Sequence, residues 1–329
     1  SPPRKYSVAE AAPAIRSTLS YAVLDPTGDD DTANMLAAFT ALSRGGTIML
    51  QPASYAFSDT LLVPEGVNIV GAGRRSVNSP PTTYLNFAGV ADNKYAIRVH
   101  AGSDNRLADF YLAGRTSSCA LPEIVTTGAS RRIDIERVTV NSATQAAGIS
   151  LGYGGGYAIQ SSIKGSTVVA AATGFELSGA TTSTLIEHCY ANACTADGYR
   201  LSGTYNAIVA CAADGCFRGY LIQSAKACSI VSSGAEASAR SAFHLLTSSS
   251  IKIDTCRGVI NGAGGSALIP SFASLETNVS NIIIDLPVDT NPHAAVVDSI
   301  GSFGGWTGSN IRVTFPDLAR AINSSITLS

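Results

Sequence analysis

Between residues 176 and 244 the chain carries Glu176, Asp197, Arg200, Asp214, Arg218, Arg240 and His244. Side chains of these types can break a glycosidic bond. Two carboxylates about 5–5.5 Å apart serve a retaining hydrolase, and a gap of about 6.5–9.5 Å serves an inverting one. Elimination beside a uronate needs a base for the proton instead. Arg200, Arg218 or His244 could then neutralise the sugar carboxylate or take part in proton transfer. Only 14% of the residues are charged, so this stretch is a concentration of charge. A plainer reading pairs Glu176 with Arg200 and Asp197 with Arg218 as surface ion pairs, each worth under about 1 kcal/mol.

A repeat fixes the spacing of these residues. One motif reads small, apolar, outward, apolar, as in Gly174-Phe175-Glu176-Leu177 and Gly198-Tyr199-Arg200-Leu201. Its anchors are Ile97, Ile124, Ile149, Phe175, Tyr199, Tyr220, Phe243 and Leu268. A second motif, clearest in Ile133-Asp134-Ile135-Glu136-Arg137-Val138-Thr139-Val140, has anchors at Leu107, Ile135, Ile163, Ile186, Ile208, Ile230, Ile253 and Ile282. The two motifs keep one period of roughly 21–29 residues in constant phase, the mark of a solenoid. Alternation inside each motif is the strand period of two. The two-residue break in the second motif flips that parity and turns a corner. The expected fold is all-β: a right-handed parallel β-helix of about nine to ten coils, three short strands to a coil, with coils about 4.8 Å apart. Phe175, Tyr199, Tyr220 and Phe243 then stack as an interior aromatic ladder. Carboxylates one coil apart lie about 5 Å from each other, and those two coils apart about 10 Å. Glu176 with Asp197 is the one-coil candidate and Glu176 with Asp214 the two-coil candidate.

Composition narrows the function classes. The chain has 329 residues and a net charge of −2, which argues against nucleic acid as the main partner. No apolar run is long enough to span a membrane. Seven cysteines is an odd count with no metal-ligand spacing. Cys189, Cys211, Ser233 and Cys256 share one register after the corner and read as a small-residue core ladder of reduced thiols, as suits folding in a reducing cytosol. No metal or cofactor is expected.

The first residues depart from the repeat. Residues 1–24 read as a neck or linker, 25–315 as the β-helix body and 316–329 as a tail. Within 25–50, Asp31 or Thr32 caps an amphipathic helix from Ala33 to Ser43, which covers the first coil. Gly28-Asp29, Asp30-Asp31-Thr32, Gly45-Gly46-Thr47-Ile48, Pro52-Ala53-Ser54-Tyr55 and Val70-Gly71-Ala72-Gly73 follow in order. This stretch resembles the opening of the pectate-lyase-like β-helix superfamily, in the branch found in bacteriophage tailspikes and polysaccharide depolymerases. These motif residues are structural and carry no catalytic role.

The resemblance implies a depolymerase that binds and cleaves a bacterial surface polysaccharide, on a virion or outside the cell, as a homotrimer. Its alternatives are a secreted polysaccharide lyase or epimerase and a non-catalytic receptor-binding spike. It places substrate along the outer face of the first-motif strand, whose outward row is Arg98, Val125, Ser150, Glu176, Arg200, Leu221, His244 and Ile269. The turns before those strands add Asp197, Asp214, Arg218, Glu236 and Arg240. Glu176, Asp197 and Asp214 are thus the catalytic candidates, and Arg200, Arg218, Arg240 and His244 the substrate-binding ones. Tyr153, in a glycine-rich excursion, is a candidate sugar platform, and Trp306, between glycines, is a candidate sugar platform or interface anchor. A second-strand row of Glu136, Lys164, Glu187 and Asp254, with His188 beside it, competes as the site. Glu123, Asp92 and Asp104 fall in loops, where a groove between subunits would use them.

Overall fold

Residues alternating between apolar and polar become short strands here, because each strand buries one face against the coil interior. The structure, a computed structural model, describes residues 21–73, 83–115, 118–142, 145–259, 261, 272–275, 278–285, 288–289, 297–299 and 309–314. Two units divide the chain, Ser1–Ala171 and Ala172–Ser329. Each is a parallel β-solenoid, and together they comprise about nine turns.

In the first unit three rows of inward residues run from coil to coil. The first-strand row is Leu61, Ile97, Ile124 and Ile149. The second is Ala22, Ile48, Ile69, Leu107, Ile135 and Ile163. The third is Tyr55, Leu85, Leu112, Val140 and Val168. The strand Tyr21–Leu24 pairs with Gly46–Leu50. Part of the stretch read as a neck is therefore the first rung of the solenoid.

In the second unit the first-strand row is Phe175, Tyr199, Tyr220 and Phe243. Their rings stack at 5.1, 4.8 and 4.8 Å with interplanar angles of 12°, 8° and 16°. All four are fully buried. A buried phenol needs a partner. The Tyr199 hydroxyl reaches the carbonyl of Cys189 at 2.7 Å, and that of Tyr220 reaches Cys211 at 2.9 Å. The second-strand row is Ile186, Ile208, Ile230 and Ile253. The third is Ala191, Ala213 and Ala235.

Two anchors move beyond residue 250. Phe243 pairs with Ala273, not with the strand expected at Leu268, and Ser274 replaces Ile269 beside His244. Ile253 pairs with Ile284, while Ile282 pairs with Ile251. The coil there is longer than its predecessors, so a fixed period misplaces the later strands. Leu268 and Ile269 themselves lie outside the described residues.

Corners recur at non-glycine residues in the left-handed region, among them Arg137 (φ 50°), His188 (52°), Ala210 (51°), Ser232 (50°) and Thr255 (50°). These are the second residues of the predicted two-residue break. After several of these corners, though not after Arg137, the next residue is a serine or cysteine, and such a side chain can serve the coil before it. Ser166 Oγ accepts the Val138 N–H at 3.2 Å, Cys211 Sγ accepts that of Cys189 at 3.4 Å, and Ser233 Oγ accepts that of Cys211 at 3.1 Å. All seven cysteines are buried free thiols. We therefore expect Cys211→Ser to preserve stability within about 1 kcal/mol. Cys211→Ala, which leaves the Cys189 N–H unmet, is expected to lower it by about 1–3 kcal/mol. Urea denaturation of both variants checks this, and equal losses would contradict the role assigned to the ladder.

The helix spans Thr32–Ala41. Met35, Ala38, Phe39 and Leu42 are buried, and the helix packs on the strands Tyr21–Leu24 and Leu61–Val63. Asp31 occupies the N-cap position without a capping hydrogen bond. Its carboxylate instead accepts the Thr27 N–H at 2.7 Å and the Ala56 N–H at 3.1 Å. Asp30 does the capping, accepting the Thr32 N–H at 3.0 Å and hydroxyl at 2.6 Å. Hydrogen bonds from Ser58 and then Thr32 hold the Asp30 carboxyl below its ordinary range.

Candidate functional site

In the second unit three successive coils build one corner. The third strands Tyr190–Asn192, Ala212–Asp214 and Gly234–Glu236 end there. Short turns then lead into strands Asp197–Thr204, Arg218–Lys226 and Phe243–Leu246. Small residues let these turns stack closely and leave an open depression lined by Ala193, Cys194, Thr195, Gly215, Cys216, Phe217, Ala237 and Ala239. Its two cysteines are buried. The Cys194 thiol is pushed far above its ordinary range, first by its hydrogen bond with Cys216 and then by burial. That keeps Cys194 protonated and unreactive.

On the first-strand side of the corner lies a charged network. Asp197 opens its strand with no exposed side-chain surface. Its Oδ2 accepts Arg200 Nη2 at 2.8 Å, and its Oδ1 accepts Arg218 Nε at 2.6 Å. Arg200 Nη1 also reaches Glu176 Oε1 at 3.3 Å. The ion pairs read from sequence thus exist, but buried Asp197 binds both arginines and joins the two pairs into one network. Phe217, 40% exposed, stands on the rim. The guanidinium of Arg218 lies 5.8 Å and that of Arg240 5.4 Å from its ring centroid.

The third-strand side holds the other acids. Asp214 ends a strand of the sheet that also contains Asn192 and Glu236, and the three are in register. Asp214 therefore lies across the corner from Glu176 and Arg200, rather than in the turn where the sequence alone puts it. Its Oδ2 accepts the Tyr190 hydroxyl at 2.8 Å and the Asn192 amide at 3.3 Å. Burial, and then the bond to Asp214, raise the Tyr190 hydroxyl above its usual range, so it stays a donor. Glu236 is exposed.

The remaining candidates scatter. His244 is buried on the outward row, beside Leu221, also buried, and Ser274. In the first unit, outward Val125 and Ser150 are buried too. Tyr153 belongs to the first unit, in the turn Tyr153–Gly155, with its ring edge-on to Tyr95 at 6.2 Å. Trp306 lies outside the described residues. On the competing second strand, Glu136 is held by Arg106 at 2.7 Å and Asp254 by Lys252 at 2.7 Å. Asp104 pairs with Arg132 at 2.5 Å on the surface. Glu123 is fully buried against Arg115 at 3.1 Å, which excludes it from a surface groove. Among the described residues no His, Cys, Asp and Glu cluster is placed to hold a metal, and no helix is long and apolar enough to cross a membrane.

Sequence reasoning missed Phe217, Tyr190 and the Asp214–Glu236 register. The signal was present for Phe217, an aromatic residue in a turn that belongs to neither strand motif.

No family model and no curated protein matches the chain. Solved structures do match in fold. The A-module of mannuronan C-5 epimerase AlgE4 from Azotobacter vinelandii superposes with a TM-score of 0.63 at 14% identity, covering 93% of this chain and 97% of that one. The endo-xylogalacturonan hydrolase of Aspergillus tubingensis gives 0.60 at 15% identity over 90% and 93%. The tailspike of E. coli bacteriophage HK620, solved with a pentasaccharide, gives 0.65 at 12% identity over 92% of this chain and 62% of the tailspike. At these identities the likeness is one of fold, and the chain is a parallel β-helix of the kind those enzymes and the tailspike share.

Proposed function

We propose that this β-helix binds and cleaves a bacterial surface polysaccharide at the corner around Phe217, as a tailspike-type depolymerase. One observation carries the reading: Asp214 and Glu236 stand in register on adjacent coils beside an open depression with an aromatic rim. Adjacent strands lie about 4.8 Å apart, and a retaining glycosidase needs carboxyls about 5–5.5 Å apart. In this reading Asp214, oriented by Tyr190 and Asn192, is the nucleophile, and the exposed Glu236 is the proton donor. Asp197 has no surface through which to touch substrate. It acts with Glu176 as a positioning residue for Arg200 and Arg218. This assignment keeps Asp214 among the expected catalytic residues and moves Glu176 and Asp197 to support.

The test is incubation with a panel of capsule, lipopolysaccharide and exopolysaccharide polymers, with reducing ends and the absorbance of unsaturated uronates both monitored. Reducing ends without that absorbance support hydrolysis. Both signals together mean a lyase and sink the retaining-pair assignment. A second reading, a spike that binds without cleaving, draws on the engagement of Asp197 and Glu176 by arginines. Its signature is binding with neither signal. Display on a virion or outside the cell, and a homotrimer, belong to the same proposal. Light scattering that gives a monomer would remove the trimer.

A further inference from the structure

We infer that the corner selects an acidic polysaccharide, with a sugar carboxylate held by Arg240; this rests on the polysaccharide reading above. Arg218 and Arg240 both lie over Phe217 but differ in what balances their charge. Arg218 is bound to buried Asp197 at 2.6 Å, so its cation is compensated inside the protein. Arg240 is exposed and makes no ion pair among the described residues. Its backbone N–H is tied to the Phe217 carbonyl at 2.8 Å, which fixes the turn that carries it. The aromatic face then holds the guanidinium at the rim of the depression. A guanidinium is weakly hydrated and presents a planar fork that matches a carboxylate.

The acids nearby do not cancel this cation. Asp197 is shared by Arg200 and Arg218. Asp214 is engaged by Tyr190 and Asn192. Glu236, on the third strand of the same coil as Arg240, lies beyond ion-pair distance of it. The floor between them is Ala193, Ala237, Ala239 and two buried thiols, which offer a sugar ring apolar contact and no competing charge. A chain carrying carboxylates can thus place one on Arg240 while a neighbouring glycosidic bond lies toward Asp214 and Glu236.

The experiment measures binding of polygalacturonate, alginate and hyaluronan, each beside its carboxyl-reduced neutral form, to wild-type protein, Arg240→Ala and Arg240→Lys. The wild type should prefer at least one acidic polymer over its reduced form by about tenfold or more, as one charge-assisted hydrogen-bonded contact provides. Arg240→Ala should abolish that preference, with the affinity for the acidic polymer falling about tenfold more than that for its reduced form. Arg240→Lys should keep part of it, because charge remains without the fork. Equal binding of acidic and reduced polymers by the wild type overturns the inference. So does an equal loss on both in Arg240→Ala. A neutral bacterial polymer cleaved in the panel while all three acidic polymers fail to bind overturns the inference and leaves the depolymerase reading standing. Binding to no polysaccharide of either set overturns both.

Discussion

Asp214→Asn is expected to reduce polysaccharide cleavage by about 10²–10⁴-fold, the range over which a positioned acid–base group contributes. The substitution keeps the shape of the side chain and its place between Tyr190 and Asn192. Asp214 is half-buried and forms no ion pair among the described residues. The fold should therefore tolerate it within about 1 kcal/mol. Glu236→Gln should bring a comparable loss of rate, restored in part by substrates with a good leaving group if Glu236 is the proton donor. Glu176→Gln is the contrasting variant. It weakens the hold on Arg200, so it should raise KM more than it lowers kcat. Initial rates of reducing-end release across the three variants check this. Full activity in Asp214→Asn would remove the carboxylate pair from the chemistry.

The largest stability effect is expected in the first unit, at Glu123. Its side chain and that of Arg115 are 0% and 1% exposed. Glu123 Oε1 accepts the Arg115 backbone N–H at 3.0 Å and the Ser142 hydroxyl, and Oε2 accepts Arg115 Nε at 3.1 Å. The other guanidinium donors reach backbone carbonyls, those of Lys94, Leu121 at 3.3 Å and Pro122 at 3.1 Å. Backbone groups of Glu123 join two more coils, since its N–H donates to Ala147 and its carbonyl accepts from Ile97. Removing one partner of such a pair strands a charge in the interior and costs about 3–5 kcal/mol. Glu123→Ala should thus lower the unfolding free energy measured in urea by that amount. Solenoid coils interact mainly with their neighbours, so amide exchange should accelerate first around residues 94–147. A variant within about 1 kcal/mol of wild type, on the scale set by exposed pairs, would mean that the pair is solvated.

How far the sequence can be read depends on side-chain contrast. Rows built from Ile, Val, Tyr and Phe stand out against polar neighbours, and the register from Phe175 to Phe243 is the predicted one. So is that from Ile186 to Ile253. The third strands of the second unit bury Ala191, Ala213 and Ala235. Alanine gives little contrast with the serines, glycines and alanines around it, so the ends of these strands read as turn. For that reason Asp214 and Glu236 read as lying before the first strand instead of at the end of the third. Beyond residue 253 the failure is of another kind, because a lengthened coil breaks the period while leaving each strand's alternation intact. The charged network is legible as pairs of neighbours one coil apart. Its buried centre is not, since the residues in register with Asp197 on the neighbouring first strands are Thr173 and Arg218, which share no residue type with it. Only the geometry places Asp197 beneath Arg200 and Arg218, with no side-chain surface left exposed.

The most direct measurement is a crystal structure of the double variant Asp214→Asn/Glu236→Gln with an oligosaccharide released from a polymer that the wild type cleaves. Cleavage at this corner predicts sugar rings in the depression bounded by Phe217 and Ala239, with a glycosidic oxygen between positions 214 and 236 and an acidic group on Arg240. An oligosaccharide seated along the second-strand row of Glu136 and Lys164, or beside Tyr95 and Tyr153, with the corner empty, would contradict it.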